Sequence, residues 1–240
     1  MIQKIIFSLL LSVTFLLAQF NPSPYETTLQ SVQNNKATIA DNNIALGATG
    51  VVLHSFDNEH QTIISLATVI AKADNKLTLK FTRYKNLHQS ALPSYKIDPK
   101  KGDKVILNYL YNRVLPITPN KETYKRITAT FAGYNIIHPD LFASKLYVDH
   151  QPRPEKSDFH KSCLQNSNNL LLFAIEDKGY FVDCQSFKIL DSINLSTQGD
   201  KESHPFYSRI PKIKTRLGAI MGSEDIGEYN RYYKQMLGLK

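Results

Sequence analysis

Apolar and polar residues alternate along most of the first half of the chain. Residues 77–82, Leu-Thr-Leu-Lys-Phe-Thr, carry an apolar side chain at every second position, which is typical of a β-strand with one buried face. Residues 25–32, 36–40 and 62–71 show related patterns, and turn-forming pairs such as Asn34-Asn35 separate them. Roughly six short strands joined by tight turns predict a small closed or half-closed barrel, SH3-like or OB-like.

Residues 102–127 mark the change from strands to helices. Residues 105–111 alternate as one more strand. Pro116 and Pro119 are predicted to end sheet pairing, because proline cannot donate a backbone hydrogen bond. Asn120 is placed to cap the helix that follows, and the apolar face of that helix consists of Tyr124, Ile127 and Phe131.

The second half combines helices with a β-meander. Pro139 predicts the start of a helix that ends near Val148. Ser157 predicts the cap of another helix, in which Phe159, Cys163 and Leu164 share a face. Residues 170–175 are all apolar, as in a strand buried on both faces, and residues 180–190 continue the meander.

A last helix is predicted near the C-terminus. Asp225 and Glu228 resemble a capping box, Gly238 is a natural stop, and the buried face is Ile226, Tyr229, Tyr233 and Met236. The fold class is therefore predicted as α+β. A small β-barrel domain of residues 24–118 precedes an α+β domain of residues 119–240, which contains the β-meander and the C-terminal helix.

Residues 1–18 have the pattern of a secretory signal peptide. Lys4 supplies the positive charge, and the apolar segment 5–17 is too short for a stable bilayer span. Cleavage after Ala18 is expected, and an uncleaved anchor is the alternative. No later segment is long and apolar enough to span a membrane, so the mature protein is predicted to be exported to the periplasm or the outer cell surface.

The formal net charge of +8 favours acidic partners. Basic residues recur on the predicted strands and near the C-terminus, at Lys72, Lys76, Lys80, Arg83, Lys85, Lys100, Lys101, Lys104, Lys212, Lys214 and Arg216. A barrel with basic strands can hold nucleic acid. Export argues against that partner, and solvated basic faces are the simpler interpretation. We predict no nucleic-acid partner.

The sequence contains two cysteines, Cys163 and Cys184. An isolated pair in an exported chain indicates one disulfide, which would join the predicted helix at Phe159 to the strand at Tyr180. The alternative is a nucleophilic Cys163 with His160 one helical turn away. The pattern supplies neither an orienting carboxylate nor an oxyanion hole for that chemistry.

Other candidate chemistry is sparse. His54, Asp57 and His60 lie three residues apart around a turn and can in principle share a metal ion, although the spacing matches no zinc motif. A solvated hairpin tip explains the same residues. No phosphate-binding glycine loop, serine-hydrolase motif or paired carboxylates occur. We therefore predict a protein that is not an enzyme and has no cofactor or metal.

Three stretches together resemble a known family. They are residues 102–127, residues 137–143 (Ile-His-Pro-Asp-Leu-Phe-Ala) and residues 179–187 (Gly-Tyr-Phe-Val-Asp-Cys-Gln-Ser-Phe). They resemble the N-terminal domain of the plasminogen-binding protein PgbA family of Helicobacter and related bacteria, from about Tyr25 to about Leu190. The resemblance implies an exported envelope or surface protein that binds host plasminogen through lysine residues.

The resemblance directs attention to the lysines of the last helix. A C-terminal lysine presents an ammonium and a carboxylate together, and the resemblance implies kringle pockets of plasminogen that recognise both charges. Lys240 is predicted as the leading contact and Lys234 as the second. Longer family members carry a charged extension beyond this domain, and plasminogen binding can reside there. The alternative function is a non-catalytic structural or adaptor protein of the periplasm or outer envelope.

Overall fold

Two β-sheets and the helices packed against them make up the part of the chain that the computed structural model describes. The described residues are 20, 22–84, 97–199, 201–215 and 225–240. The predicted signal peptide and its cleavage site lie outside these residues.

The first sheet is a curled antiparallel half-barrel. β1 and β2 lie at opposite edges of the sheet, although only residues 29–31 separate them in sequence, so the sheet curls until its two edges approach each other. This sheet confirms the β-rich first half, and the SH3-like or OB-like type stays a prediction. The order across the sheet is β1-β7-β4-β5-β6-β3-β2, and the strands are β1 (Tyr25–Thr28), β2 (Val32–Gln33), β3 (Lys36–Ala40), β4 (Thr49–Ser55), β5 (Gln61–Ala73), β6 (Lys76–Arg83) and β7 (Lys104–Leu107).

Pairs of residues with positive φ connect strands of the half-barrel. Asn34 and Asn35 have φ values of 47° and 61° between β2 and β3, and Asp74 and Asn75 have values of 49° and 59° between β5 and β6. Asn and Asp adopt this conformation more readily than other residues with a Cβ atom. The turn sequences therefore fix the register of both hairpins.

The second sheet is mixed, with the order β12-β11-β10-β8-β9. The pairs β8–β10 and β8–β9 are parallel, and the others are antiparallel. Helices connect the parallel strands, as parallel pairing requires. The elements are β8 (Arg113–Ile117), α1 (Lys121–Thr130), β9 (Asn135–Ile136), α2 (Pro139–Val148), α3 (Lys156–Asn166), β10 (Leu170–Ile175), β11 (Lys178–Asp183), β12 (Ile189–Asn194) and α4 (Tyr229–Leu237).

Pro116 lies within β8, so the prediction that this proline ends sheet pairing is wrong. Pro116 is paired in register with Leu172 of β10. The carbonyl oxygen of Val114 accepts a hydrogen bond from the N–H of Ile137 on the β9 side. Because backbone groups two residues apart point to the same side of a strand, the nitrogen of Pro116 also points to that side, beyond the end of β9. The missing donor therefore costs no ladder hydrogen bond.

The second sheet separates two hydrophobic cores. Leu170, Leu172 and Ala174 of β10 pack in the core that the half-barrel and α1 also line. The alternate residues of β10 pack in the second core with α2, α3 and α4. All of Leu170–Ile175 is buried, which confirms the predicted strand. The division into domains at residues 118 and 119 stays a prediction.

Two predicted helices are confirmed at their starts. The side chain of Asn120 accepts a hydrogen bond from the N–H of Thr123 at 2.9 Å and caps α1. Pro139 is the first residue of α2, which ends at Val148 as predicted. Within the described residues, no helix combines the length and apolar character that a membrane span needs.

Two predicted caps are wrong. Helix α3 is capped by Glu155, which forms a reciprocal capping box with Asp158, so Ser157 already lies inside the helix. Leu164, predicted to share a face with Phe159 and Cys163, is 38% exposed, whereas those two residues are buried. Glu228 occupies the N-cap position of helix α4 without a side-chain capping hydrogen bond, and the helix does not begin at Asp225. Gly227 between them has a φ of +72° and cannot continue a right-handed helix. Gly238 ends α4 as predicted, also with a φ of 72°.

The predicted strand over residues 105–111 is shorter in the structure. Strand β7 ends at Leu107, and the chain then turns through Asn108 and Leu110, whose φ values are 55° and 60°. Tyr111 is buried at 1% exposure beside this turn. The alternating pattern therefore reflects burial of Tyr111 and not continued sheet pairing.

A buried carboxylate joins the two sheets. Asp183 of β11 is fully buried, and its Oδ2 accepts hydrogen bonds from the hydroxyls of Thr49 at 2.6 Å and Tyr111 at 2.7 Å. Its Oδ1 accepts from the backbone N–H groups of Gln185 at 2.9 Å and Ser186 at 2.5 Å. Burial raises the pKa of Asp183 above its ordinary value, although these hydrogen bonds act in the opposite direction. Thr49 begins β4, so one side chain connects the half-barrel to the second sheet.

We expect Asp183→Ala to lower the free energy of unfolding by about 2–5 kcal/mol, because it leaves buried hydroxyl and N–H groups without their acceptor. Asp183→Asn keeps an acceptor for the N–H groups and should cost less. Urea denaturation of the two variants and the wild-type protein measures both effects. Equal stability of all three proteins would contradict the connecting role of the carboxylate.

The raised pKa also predicts a pH dependence. The contribution of the Asp183 side chain to folding stability is fully present below the ordinary carboxyl pKa. It is lost as the pH rises through the pKa of Asp183 in the folded protein. Asp183→Asn does not titrate there. Its stability relative to the wild-type protein should therefore increase as the pH rises above the ordinary carboxyl pKa, and a constant difference would show that the pKa is not raised.

The two cysteines form the predicted disulfide. Cys163 of α3 and Cys184, directly after β11, have Cα atoms 6.5 Å apart and close a loop with a sequence separation of 21. Both side chains are buried. The bond ties helix α3 to the end of β11, next to the hydrogen bonds of Asp183.

Replacing both cysteines with Ala should lower the free energy of unfolding by roughly 3 kcal/mol, because the unfolded chain regains the entropy of the loop. Thermal or urea denaturation of the double variant provides the measurement. Alkylation of the wild-type protein in denaturant should modify neither cysteine until a reductant is added. Modification of both without reductant would refute the bond.

Candidate functional site

Two buried tyrosines hold α4 against the rest of the protein. The hydroxyl of Tyr229 donates to the carbonyl of Ile117 at 2.7 Å, and that of Tyr233 donates to the carbonyl of Pro205 at 2.9 Å. Burial raises the pKa of both hydroxyls well above the ordinary value, so both remain donors at neutral pH. The position of Lys234 on the same helix is thereby fixed.

Lys234 is held in an ion pair with Glu176 in the turn between β10 and β11. The distance from Lys234 Nζ to Glu176 Oε1 is 2.9 Å, and the side chains are 28% and 60% exposed. The N–H of Glu176 donates to Asn230 Oδ1 at 2.9 Å, so the same turn is also tied to α4 through the backbone. An ion pair that is partly open to solvent is weak and exchangeable.

Lys240 lies beside this ion pair. After Gly238 turns the chain, the N–H of Leu239 donates to the carbonyl of Lys234 at 2.9 Å, and Lys240 is exposed. Both lysines line one surface depression of about 530 Å³, together with Glu176 and Leu239. The structure therefore brings together the two lysines singled out in the sequence, and adds the carboxylate of Glu176.

Glu176 was not recognisable from the sequence. It is separated from Lys234 by 58 positions, and an acidic residue in a turn is ordinary. The depression contains charges of both signs, since Arg231 and Glu228 also line it. The depression therefore exposes ammonium groups beside carboxylates.

The residues considered for a metal site are divided between two separate ion pairs. His54 is buried with its Nδ1 2.8 Å from Asp103 Oδ1, whereas His60 pairs with Asp57 at 2.8 Å on the exposed hairpin tip. In the described ranges, no three His, Cys, Asp or Glu side chains are placed to hold a metal ion together.

The sulfur of Cys163 is bonded to Cys184, so it does not carry the thiol that the nucleophile alternative requires. His160 lies one turn earlier on α3, and its Nε2 is buried without a hydrogen-bond partner among the described residues. Burial lowers the pKa of His160, so the ring is neutral at physiological pH. Its ring packs at 5.8 Å from that of Phe187, and this packing accounts for its position.

Two basic residues of the half-barrel form local ion pairs. Lys72 pairs with Asp41 at 2.8 Å, and Lys104 pairs with Glu26 at 3.4 Å. The two pairs lie on different strands at different parts of the sheet. These two lysines are therefore paired with carboxylates within the half-barrel.

Comparison with known proteins places the chain in a family. The family described as "Plasminogen-binding protein pgbA N-terminal" matches residues 24–237. The chain is 27% identical over 241 residues to "Plasminogen-binding protein PgbA" of Helicobacter pylori strain J99, and 27% identical over 241 residues to the protein of the same name from strain 26695. These matches cover 99% of this chain but only 53% and 52% of the relatives, so the chain spans about half the length of the curated relatives that it matches. The chain belongs to the PgbA N-terminal family, as the resemblance of its three sequence stretches implies.

Proposed function

We propose that this chain binds plasminogen through lysine side chains, with Lys240 as the leading anchor and Lys234 as the second contact. The names of the relatives support the choice of partner. The observation that carries the choice of residues is that both lysines line the same surface depression. The ligand is an acidic, lysine-binding pocket of the partner protein, and no catalytic step is involved.

Lys240 and Lys234 differ in their surroundings, and this difference sets the order in which they bind the partner. Lys240 is exposed, so its ammonium group is accessible to a partner pocket. Lys234 must first leave Glu176, from which it is separated by 2.9 Å. A lysine ammonium in a kringle-type pocket gains a carboxylate and an aromatic wall in place of water. Lys240 is therefore the first contact, and Lys234 adds to it after exchanging partners.

Export of the chain is part of the same proposal. The predicted signal peptide supports it, and so does the disulfide, because such bonds persist in oxidising compartments. A location on the outer cell surface would bring the lysine depression into contact with host proteins. A location in the periplasm would fit the second candidate function.

That second candidate is a non-catalytic structural or adaptor protein of the envelope. The observation that favours it is the coverage of the relatives, of which this chain spans about half. Their plasminogen-binding residues can therefore lie in the other half. A pull-down from native envelopes with the folded chain would then recover an envelope component, whereas plasminogen would not be retained.

We expect Lys240→Ala to weaken plasminogen binding about tenfold, since it removes a charged group that the partner buries. Lys234→Ala should have a smaller effect, because that lysine gives up its own ion pair on binding. Surface plasmon resonance with immobilised plasminogen measures both. Lys121→Ala is the control, since Lys121 is exposed like Lys240 and lies on a helix like Lys234, and it should bind like the wild-type protein.

Binding should also weaken with salt and be displaced by 6-aminohexanoate, which presents an ammonium and a carboxylate. Undiminished binding by the Lys234→Ala/Lys240→Ala double variant would refute the assignment to these residues and point to Lys100 and Lys101. Absence of displaceable binding by the folded wild-type chain at micromolar concentration would favour the adaptor function.

Glu176→Gln should strengthen plasminogen binding about two- to fivefold, because it releases Lys234 from an exposed ion pair worth at most about 1 kcal/mol. Glu122→Gln, on the first turn of α1, is the matched control. The gain should disappear when Lys234→Ala is combined with Glu176→Gln. Weaker binding of Glu176→Gln would show instead that the carboxylate contacts the partner directly.

A further inference from the structure

A second surface depression adjoins the one that contains Lys234 and Lys240. It has a volume of about 450 Å³. Four residues line both depressions and form their common border: Glu176, Lys234, Leu239 and Lys240. A partner that covers Lys240 therefore lies against the second depression as well as the first.

The residues that line only the second depression come from the β10–β11 turn and from the second sheet. They are Asp177, Lys178, Tyr180 and Asn194. Lys178 and Tyr180 belong to β11, and Asn194 is the last residue of β12. Lys178 and Asn194 are in register in the β11–β12 pair. The second depression thus adds a sheet lysine to a surface whose other lysines follow or belong to α4.

Lys178 lies on the face of the second sheet against which α4 packs. It is directly opposite Ile175 in the β10–β11 pair, and opposite residues of an antiparallel pair point to the same face. Ile175 is buried in the second core, which also contains Tyr229 and Tyr233 of α4. The side chain of Lys178 is therefore on the α4 side of the sheet, where it is exposed.

The turn before Lys178 is held by hydrogen bonds on two sides. The N–H of Glu176 donates to Asn230 Oδ1 of α4 at 2.9 Å. The N–H of Leu195, directly after β12, donates to the carbonyl of Asp177 at 3.0 Å. The backbone that carries Lys178 is thus ordered before a partner binds, so its ordering does not reduce the affinity.

Three lysines from distant parts of the sequence line this one depression. Lys178 precedes Lys234 by 56 positions (234 − 178) and Lys240 by 62 positions (240 − 178). A partner pocket that receives Lys240 is acidic under the proposed function, and an exposed lysine beside it is attracted by the same negative charge. Attraction of this kind acts mainly on the association rate and on its dependence on salt.

We propose that the plasminogen contact extends over the second depression, with Lys178 of β11 as a third lysine contact that draws the partner towards Lys240. This inference rests on the proposed function, because the partner is the same. It goes beyond it by assigning to the contact a residue of the sheet, which lies outside the C-terminal segment that contains the other two lysines.

Surface plasmon resonance with immobilised plasminogen tests this role through the association rate constant. Lys178→Ala should lower that constant about threefold at low salt, and its difference from the wild-type protein should shrink as salt is added. Lys178→Arg keeps the positive charge and should restore most of the rate.

Lys76→Ala is the matched control. Lys76 is also exposed, and it is the first residue of β6 after a two-residue turn, as Lys178 is the first residue of β11 after a two-residue turn. The Lys76→Ala protein should associate like the wild-type protein. Thermal denaturation of each variant checks that rates are compared between folded proteins.

Acetylation by an amine-reactive reagent, followed by mass spectrometry, gives a second readout that requires no substitution. Lys178 and Lys240 should be acetylated more slowly in the complex with plasminogen than in the free protein. The acetylation rate of Lys76 should be the same in both.

The outcomes separate this inference from the proposed function. If the wild-type protein shows no binding that 6-aminohexanoate displaces, the proposed function fails and this inference fails with it. If the wild-type protein binds but Lys178→Ala associates equally fast, or Lys178 is acetylated equally fast in the complex, only this inference is overturned. An equal loss of rate in Lys76→Ala would also overturn it, because the effect would then come from net charge alone.

Discussion

The carboxylate of Asp183 is the interaction on which the arrangement of the two sheets depends. It accepts four hydrogen bonds from groups that are far apart in sequence, including the hydroxyls of Thr49 in the half-barrel and Tyr111 in the turn that leads to the second sheet. A buried carboxylate is stable only when its acceptor capacity is used. The fold therefore permits one relative position of β4, the turn after β7 and the end of β11.

The helices and strands that could be predicted from the sequence are those determined by residues close to them in the chain. The apolar run of β10, the proline that begins α2 and the asparagine that caps α1 each act within a few residues. Pro116 could not be placed correctly, because its tolerance within β8 depends on where β9 ends, some twenty residues later in the chain. The cap of α3 was missed for a different reason: Ser157 and Glu155 are both plausible caps, and only the reciprocal pairing with Asp158 decides between them.

The candidate sites show the same limit. Lys234 and Lys240 could be selected because they lie on one predicted helix, but the partner of Lys234 comes from a turn in another part of the sequence. Glu176 is 58 positions away from Lys234 in sequence, so only the folded chain shows that the two side chains form an ion pair.

The pairing of β1 with β7 has a consequence for the order in which the protein forms. Tyr25 is in register with Leu107, so the first strand to emerge during synthesis has no neighbour until the chain has grown by a further 82 residues, the difference between 107 and 25. Over that interval β1 is an unpaired strand, the kind of segment that associates with other chains. Contacts of such long sequence separation also slow folding. The half-barrel is therefore completed only after the chain has passed Leu107, and a segment that shields β1 until then would improve the yield of folded protein.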